Sequence, residues 1–263
     1  MERDSTLSSD GIDLRVADGV AHIVLNRPGK KNALTQALWA LLTERVEAAA
    51  RRARVIVISG AGRDFCAGAD IAEFDSIRSD VAEPESVAES PTAFAAIRDC
   101  DVPTIAAIKG ICFGGGFGIA AACDIRLASP EAQFSVPAAR LGLAYPVEAM
   151  RDIVQSCGPQ MAKLLTFGGE RIDAARAFDI GFLAEIASFE RLDQRATELA
   201  LTIAQNAPLS VAASRASIRA ALSGNHHDRN EAERRAQIAL RSEDYAEGRA
   251  AFRDRRKPVF RGS

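Results

Sequence analysis

Apolar and polar residues alternate over 12–16, and a second extended run follows over 20–26, with the turn residues Ala17, Asp18 and Gly19 between them; this pattern predicts a β-hairpin. Pro28 and Gly29 end the second strand. Over 35–50 the period lengthens, so that Leu38, Leu41, Leu42 and Val46 share one helical face. Val55, Ile56, Val57 and Ile58 are apolar without alternation, as in a strand covered on both sides. Strand, helix and strand in succession favour parallel pairing through a crossover.

The chain continues with a helix start near 71–74 that Asp70 is placed to cap, a Ser-, Glu- and Asp-rich loop or weakly held helix over 78–91, and a helix over 91–101. Ile105 to Ile108 forms a buried strand, 125–128 and 133–136 are short extended pieces, and 137–143 is a turn of small residues. From Pro146 the pattern is helical almost to the end: Pro208 opens one helix, Gly224 and Asn225 close it, and Asn230 can cap the next. The predicted organisation is an α/β core over 1–190 and a helical region over 191–263.

Residues 110–124 read G-I-C-F-G-G-G-F-G-I-A-A-A-C-D, a strand emptying into a helix through glycine. Glycine lets backbone approach a ligand closely, and the first N–H groups of the helix, with the dipole behind them, can stabilise a developing negative charge. Tight packing of helix on strand accounts for the glycines equally well. A second turn of small residues, G-A-G-R-D-F-C-A-G-A-D over 60–70, feeds the next helix.

Composition narrows the chemistry. With 48% hydrophobic residues, 26% charged and a net charge of −2, the chain has enough apolar content for a large core and no general attraction to nucleic acid or anionic membranes. The basic run over 253–257 fits a solvated face. No apolar run reaches membrane-spanning length and 1–10 lacks a signal-peptide core, so a soluble, cytoplasmic protein is expected. The five cysteines lack C-x-x-C spacing, which argues against a disulfide framework or zinc site and for small core residues. Dinucleotide, P-loop, serine-elbow and H-E-x-x-H motifs are missing. With only His22, His226 and His227 present, neither a histidine triad nor a metal cluster is expected, and His22 fits a structural strand position.

Taken with both turns, the segments L-N-R-P-G-K-K-N-A-L (25–34), V-I-V-I-S-G-A-G-R-D-F-C-A-G-A-D-I (55–71), V-P-T-I-A-A-I-K-G (102–110), G-G-G-F-G-I-A-A-A-C-D-I (114–125) and S-E-D-Y-A-E-G-R-A-A-F-R-D-R-R-K-P-V-F (242–260) give the chain a pattern that resembles the crotonase, or enoyl-CoA hydratase/isomerase, family. The resemblance implies an α/β, crotonase-like spiral of ββα units with a C-terminal helical trimerisation region, assembled as a homotrimer or a hexamer made of two trimers. It implies that the N–H groups of Ala69 and Gly115 form an oxyanion hole for the thioester oxygen of an acyl-CoA, with no cofactor apart from the coenzyme A carried by the substrate. Lys30, Lys31, Ala33, Ala67, Asp70 and Ile71 fall where the family lines the coenzyme, and Phe252 and Arg255 match tail positions that approach it, often across a subunit contact.

The family's two hydratase glutamates correspond here to Gly118 and Ala138, and a third acidic position of related enzymes falls at Pro146. General acids and bases each contribute about 10²–10⁴-fold, so simple hydration is not expected. Leu141-Gly142-Leu143-Ala144-Tyr145 is similar to the decarboxylase branch, in which Tyr145 would orient a carboxylate or protonate an enolate, although that branch has His where this chain has Ala69. As a pocket-wall aromatic, Tyr145 would play neither role. Asp64, Glu73, Glu148 and Asp152 read as surface or capping carboxylates, and Arg140 as outward-facing. The expected function is that of a lyase or isomerase acting through a thioester enolate, by decarboxylation, isomerisation or C–C cleavage. The alternatives are a hydratase with a substitute acid/base and a non-catalytic acyl-CoA-binding scaffold.

Overall fold

A computed structural model describes residues 5–7, 11–70, 73 and 89–263. The hairpin forms as β2 (Ile12–Ala17) and β3 (Val20–Leu25), antiparallel, from Ile12 opposite Leu25 to Ala17 opposite Val20. Asp18 and Gly19 take φ of 51° and 75°, the doubly positive turn whose twist matches the flanking strands. β1 (Ser5–Leu7) adds antiparallel to β2. Helix α1 (Gln36–Ala50) starts at Thr35, whose side chain accepts from the Leu38 N–H, and buries Leu38, Leu42 and Val46.

The remaining strands are β4 (Val55–Gly60), β5 (Thr104–Ile108), β6 (Ile111–Phe113), β7 (Ile125–Ala128), β8 (Gln133–Ser135), β9 (Arg171–Asp173) and β10 (Glu185–Ile186). A seven-stranded sheet runs β1-β2-β3-β4-β5-β7-β10, parallel from β3 onward, beside a three-stranded sheet ordered β6-β8-β9. The helices after α1 are α2 (Glu89–Arg98), α3 (Gly115–Ala122), α4 (Val147–Gly168), α5 (Ala174–Asp179), α6 (Leu192–Ala204), α7 (Pro208–Ser223), α8 (His226–Leu240) and α9 (Glu243–Asp254). The architecture is mixed α/β with a helical C-terminal region.

The main core joins Ile56, Ile58, Ala106 and Ile108 on one face of the large sheet to Leu42, Phe94 and Phe117. Phe117 stacks on Phe182 at 4.6 Å, and Phe134 meets Phe182 edge-on at 5.3 Å. On the other face Val55, Val57, Ile105 and Leu127 pack against Leu192, Ala196, Ala200 and Ala204 of α6. The unalternating run at 55–58 is therefore covered on both sides, as its composition predicts. Each fully buried Leu or Ile contributes about 1.5–3 kcal/mol relative to an exposed one.

Some expectations change; the cap of α8, for one, is Asn225, and Asn230 lies inside that helix. Residues 110–124 contain a short strand, β6, before their glycine turn, and β6 pairs parallel with β8. The segment after Pro146 is not continuously helical: α4 breaks at Gly158, with φ 76° and ψ 159°, where Pro159 follows without an N–H to donate, and β9 and β10 intervene before α6. Strands of two or three residues leave no readable period. The helix start at 71–74, apart from Glu73, and most of the 78–91 segment lie outside the described residues. Among the described residues, no helix is long and apolar enough to cross a membrane.

Candidate active site

The first turn is held along the edge of residues 31–34. Leu34 donates its N–H to the Gly68 carbonyl at 2.8 Å, and Asp70 donates to the Leu34 carbonyl at 2.9 Å. Successive groups of an extended chain alternate in direction, so the N–H of Ala69, between these bonds, faces away from Leu34. Ala67 donates to the Lys31 carbonyl at 2.9 Å. Arg27 reaches the Asp70 carboxylate at 3.1 Å and the buried Ala33 carbonyl at 2.7 Å, which ties Asp70 back to the strand end. Lys30 and Lys31 are exposed on the adjoining 3₁₀ turn, Pro28–Lys30.

The second turn begins at Gly114, whose φ of 54° and ψ of −120° suit glycine alone. Its N–H donates to Ser135 at 2.9 Å, and its carbonyl accepts from Gly118 at 3.1 Å. Gly115 opens α3, where a first-turn N–H has no intrahelical acceptor and the positive end of the helix dipole adds to it. A Cβ built on Gly68 would lie 2.8 Å from the Gly115 nitrogen, so the two turns touch through backbone alone. Cys66 and Cys112 form a parallel bridge beneath them, and Phe113 donates to the Cys66 carbonyl at 3.0 Å. Among the described residues, neither the Ala69 nor the Gly115 N–H has a protein acceptor.

Tyr145 reaches the same spot. Its hydroxyl lies 3.8 Å from where a Cβ of Gly114 would stand, as does the Ala67 carbonyl oxygen. Burial, reinforced by the Cys66 and Cys112 thiols, pushes the phenol's pKa above its ordinary value. Tyr145 is therefore held as a neutral donor and is poorly suited to act as a base.

The positions of the family's two acids are filled differently. A Cβ on Gly118 would stand 2.4 Å from Cζ of Phe94, a ring only 2% exposed. Gly115, on the same face of α3, would meet Trp39 at 2.7 Å, and Trp39 and Phe94 pack edge to face with centroids 5.5 Å apart. The glycine helix thus lies on an aromatic pair that takes the volume a side chain at 118 would need. Ala138 sits on the 3₁₀ turn Pro137–Leu141, and Pro146 is the N-cap of α4.

The other acids have partners. Glu73 accepts from the Gln36 N–H at 2.9 Å, Glu148 pairs with Arg151 at 3.2 Å, and exposed Arg140 donates to Gly168 at 3.0 Å. Asp152 differs from its expected surface or capping place: it is 5% exposed and paired with Arg98 at 2.8 Å, and burial outweighs Arg98 in raising its pKa. Asp64 accepts from the Ile111 N–H at 2.9 Å instead of capping a helix. His22 lies on β3 opposite Arg15, its pKa lowered by burial and by that arginine. All five cysteines are buried free thiols, and no metal-capable cluster occurs among the described residues.

Gly68 and Gly115 bring the two turns together and the Tyr145 hydroxyl lies beside Gly114, with Lys30, Lys31, Ala33, Ala67 and Asp70 on the adjoining edge. Ile71 lies outside the described residues. Phe252, 89% exposed, and Arg255, in a left-handed conformation, sit at the exposed end of α9. Sequence patterns did not single out Phe94 or buried Asn32, whose Nδ2 donates to Ala61 at 3.0 Å and Asp64 at 2.7 Å; the glycine at 118 was the available signal for the first. A cavity of about 770 Å³ lies elsewhere, between the C-terminal ends of α2 and α3 and the helices α4, α7 and α8. Ion pairs such as Arg98 to Asp152 and Arg215 to Asp124 line it, at the opposite end of α3 from Gly115.

Similarity to known proteins agrees with this geometry. The chain is 31% identical over 247 residues to 2,3-dehydroadipyl-CoA hydratase of Escherichia coli K12, covering 91% of this chain and 94% of that one. It is also 31% identical to the mitochondrial Delta(3,5)-Delta(2,4)-dienoyl-CoA isomerase of Mus musculus, over 74% of this chain and 64% of the relative. Among solved structures, an enoyl-CoA hydratase/carnithine racemase from Magnetospirillum magneticum superposes with a TM-score of 0.89 at 33% identity, covering 97% of each chain. The family model described as enoyl-CoA hydratase/isomerase matches residues 15–263, and together with the shared crotonase fold and the paired glycine turns this makes the chain a member of the enoyl-CoA hydratase/isomerase family.

Proposed function

We propose that this protein acts on an acyl-CoA thioester carrying a carboxylate on its α-carbon, and removes that carboxylate as CO₂. The thioester oxygen accepts from the N–H groups of Ala69 and Gly115. The α-carbon to carboxylate bond breaks, its electron pair forms the enolate that the two N–H groups stabilise, and the enolate carbon takes a proton from the Tyr145 hydroxyl, which water restores. Each well-placed donor of this kind is worth about 3–4 kcal/mol of barrier. The carrying observation is the convergence of a neutral tyrosine hydroxyl on the contact between the two turns, with Phe94 filling the place of an acid. Loss of CO₂ requires an enolate hole and a proton donor but no base, which this group of residues suits better than hydration or isomerisation.

Lys30, Lys31, Ala33, Ala67 and Asp70 line the coenzyme in this reading, and exposed Phe252 and Arg255 serve a neighbouring copy in a homotrimer or a pair of trimers. Incubation with malonyl-, methylmalonyl-, 3-enoyl- and crotonyl-CoA tests it. Release of CO₂ with formation of the shortened acyl-CoA is expected, and Tyr145→Phe should slow it by about 10²–10⁴-fold while leaving thermal stability nearly unchanged. Brisk hydration of crotonyl-CoA that Tyr145→Phe does not affect would overturn the proposal. Binding of all four thioesters without turnover would favour an acyl-CoA-binding scaffold.

A further inference from the structure

The two halves of the hole are anchored to different parts of the molecule. The first is bonded to Lys31 and Leu34, whereas the second is bonded to Ser135 and packed on Trp39. Their relative position depends on what joins them directly. Residues 111–113 form that joint: Phe113 donates to the Cys66 carbonyl at 3.0 Å, and Ile111, four residues before Gly115, is clasped from both sides by Asp64, Phe65 and Cys66 of the first turn. Asp64 Oδ1 accepts from the Ile111 N–H at 2.9 Å, while the Ile111 carbonyl accepts from Phe65 at 3.1 Å and Cys66 at 2.9 Å.

Gly110 makes the clasp possible. Its φ of 48° turns the chain so that the next N–H faces back toward Asp64, and a Cβ there would stand 2.3 Å from the Arg63 carbonyl and 2.5 Å from Asp64 Oδ1. The Asp64 main chain is fixed as well, since its carbonyl accepts from Asn32 Nδ2 at 2.7 Å, and Asn32 Oδ1 accepts from the Arg27 N–H at 2.9 Å. The carboxylate is therefore held at the end of a rigid arm that begins at the coenzyme-side loop and grips the strand leading to the second turn.

We infer that Asp64 is a positioning residue of the hole: its carboxylate, through the Ile111 N–H, sets the separation of the Ala69 and Gly115 amides. This rests on the oxyanion reading above. Hole geometry is read by the infrared carbonyl stretch of a bound, ¹³C-labelled acyl-CoA thioester, which falls when two donors polarise the oxygen together.

The shift to lower wavenumber should be largest in the wild type, smaller in Asp64→Asn, which replaces a charged acceptor with a neutral one, and smallest in Asp64→Ala. Affinity for the acyl-CoA should change less than about threefold, and kcat should fall by roughly ten- to a hundredfold with KM nearly constant, as misplacement without loss of binding requires. If Asp64→Ala does not fold, wild type against Asp64→Asn carries the same reading. An unchanged carbonyl shift across folded variants overturns the inference alone, leaving the oxyanion reading intact. A wild type that binds the thioester without polarising it, or does not bind it, overturns that reading and the inference with it.

Discussion

The two halves of the proposed hole present the same chemical group, a backbone N–H, by opposite mechanical means. Ala69 sits on an irregular strand edge held by hydrogen bonds at Ala67, Gly68 and Asp70, with Arg27 bracing the Asp70 carboxylate. Gly115 opens a helix held by contact, its glycines pressed on Trp39, Phe94 and the Cys66 carbonyl. A hydrogen-bonded edge can exchange side chains that point away from its bonds. A contact-packed helix cannot gain even one carbon, because interiors are close-packed and overpacking forces backbone or side chains to move. Away from Gly60 and Gly68, whose Cβ atoms would also strike backbone, the second half should therefore be the more brittle.

Gly116 gives the severest test. Its built Cβ falls 2.2 Å from the Cys66 carbonyl oxygen, a backbone atom that cannot rotate aside. Gly116→Val should cost about 3 kcal/mol or more, seen as a lower midpoint in urea unfolding, and should abolish polarisation of a bound thioester. A well-folded Gly116→Val protein with a working hole would break the contrast between the halves.

Gly118→Ala should cost less, about 1–3 kcal/mol, because its obstacle is the far end of the Phe94 ring. Combining it with Phe94→Leu should recover part of the loss, and a double-mutant cycle of thermal or urea unfolding measures that coupling. Strictly additive costs would mean that the ring and the glycine do not compete for the same space.

The smallest effect is a dependence on pH between the halves, where Cys66 is buried. Burial pushes its thiol from an ordinary value of 9.0 up to about 12, so the folded protein keeps the proton that the unfolded chain releases. The raised folded pKa makes this contribution complete below pH 9 and progressively lost as pH rises toward 12. Wild type should lose stability faster than Cys66→Ala between pH 9 and 10, by about 1 kcal/mol, with parallel behaviour near neutrality. Urea unfolding at fixed pH values checks it; parallel curves up to pH 10 would show that the thiol ionises in place.

Much of this was legible in the sequence where the information is local. The hairpin followed from Ala17, Asp18 and Gly19 between two extended runs, and the doubly covered strand from Val55 to Ile58. The two glycine turns were readable as chain entering helix N-termini, and family resemblance paired them. What was not legible depends on residues distant in the chain. The carboxylate at Asp64 finds its donor at Ile111, Asp152 is drawn inward by Arg98, and the volume beside Gly118 is filled by Phe94 from another helix. None of these leaves a local period or spacing. The short strands β6, β9 and β10 exist because partner strands supply their hydrogen bonds, which no window of a few residues records.

The aromatic ring against Gly118 also constrains which substitutions this site can accept. Restoring glutamate at 118 alone drives a side chain into Phe94, while shrinking Phe94 alone opens a cavity, a change that typically costs about 3–5 kcal/mol when a buried phenylalanine becomes alanine. Both single steps descend before the double change can recover. An acid at 118 is therefore reached only by changing Gly118 and Phe94 together, and a residue elsewhere on the site is the shorter route to one.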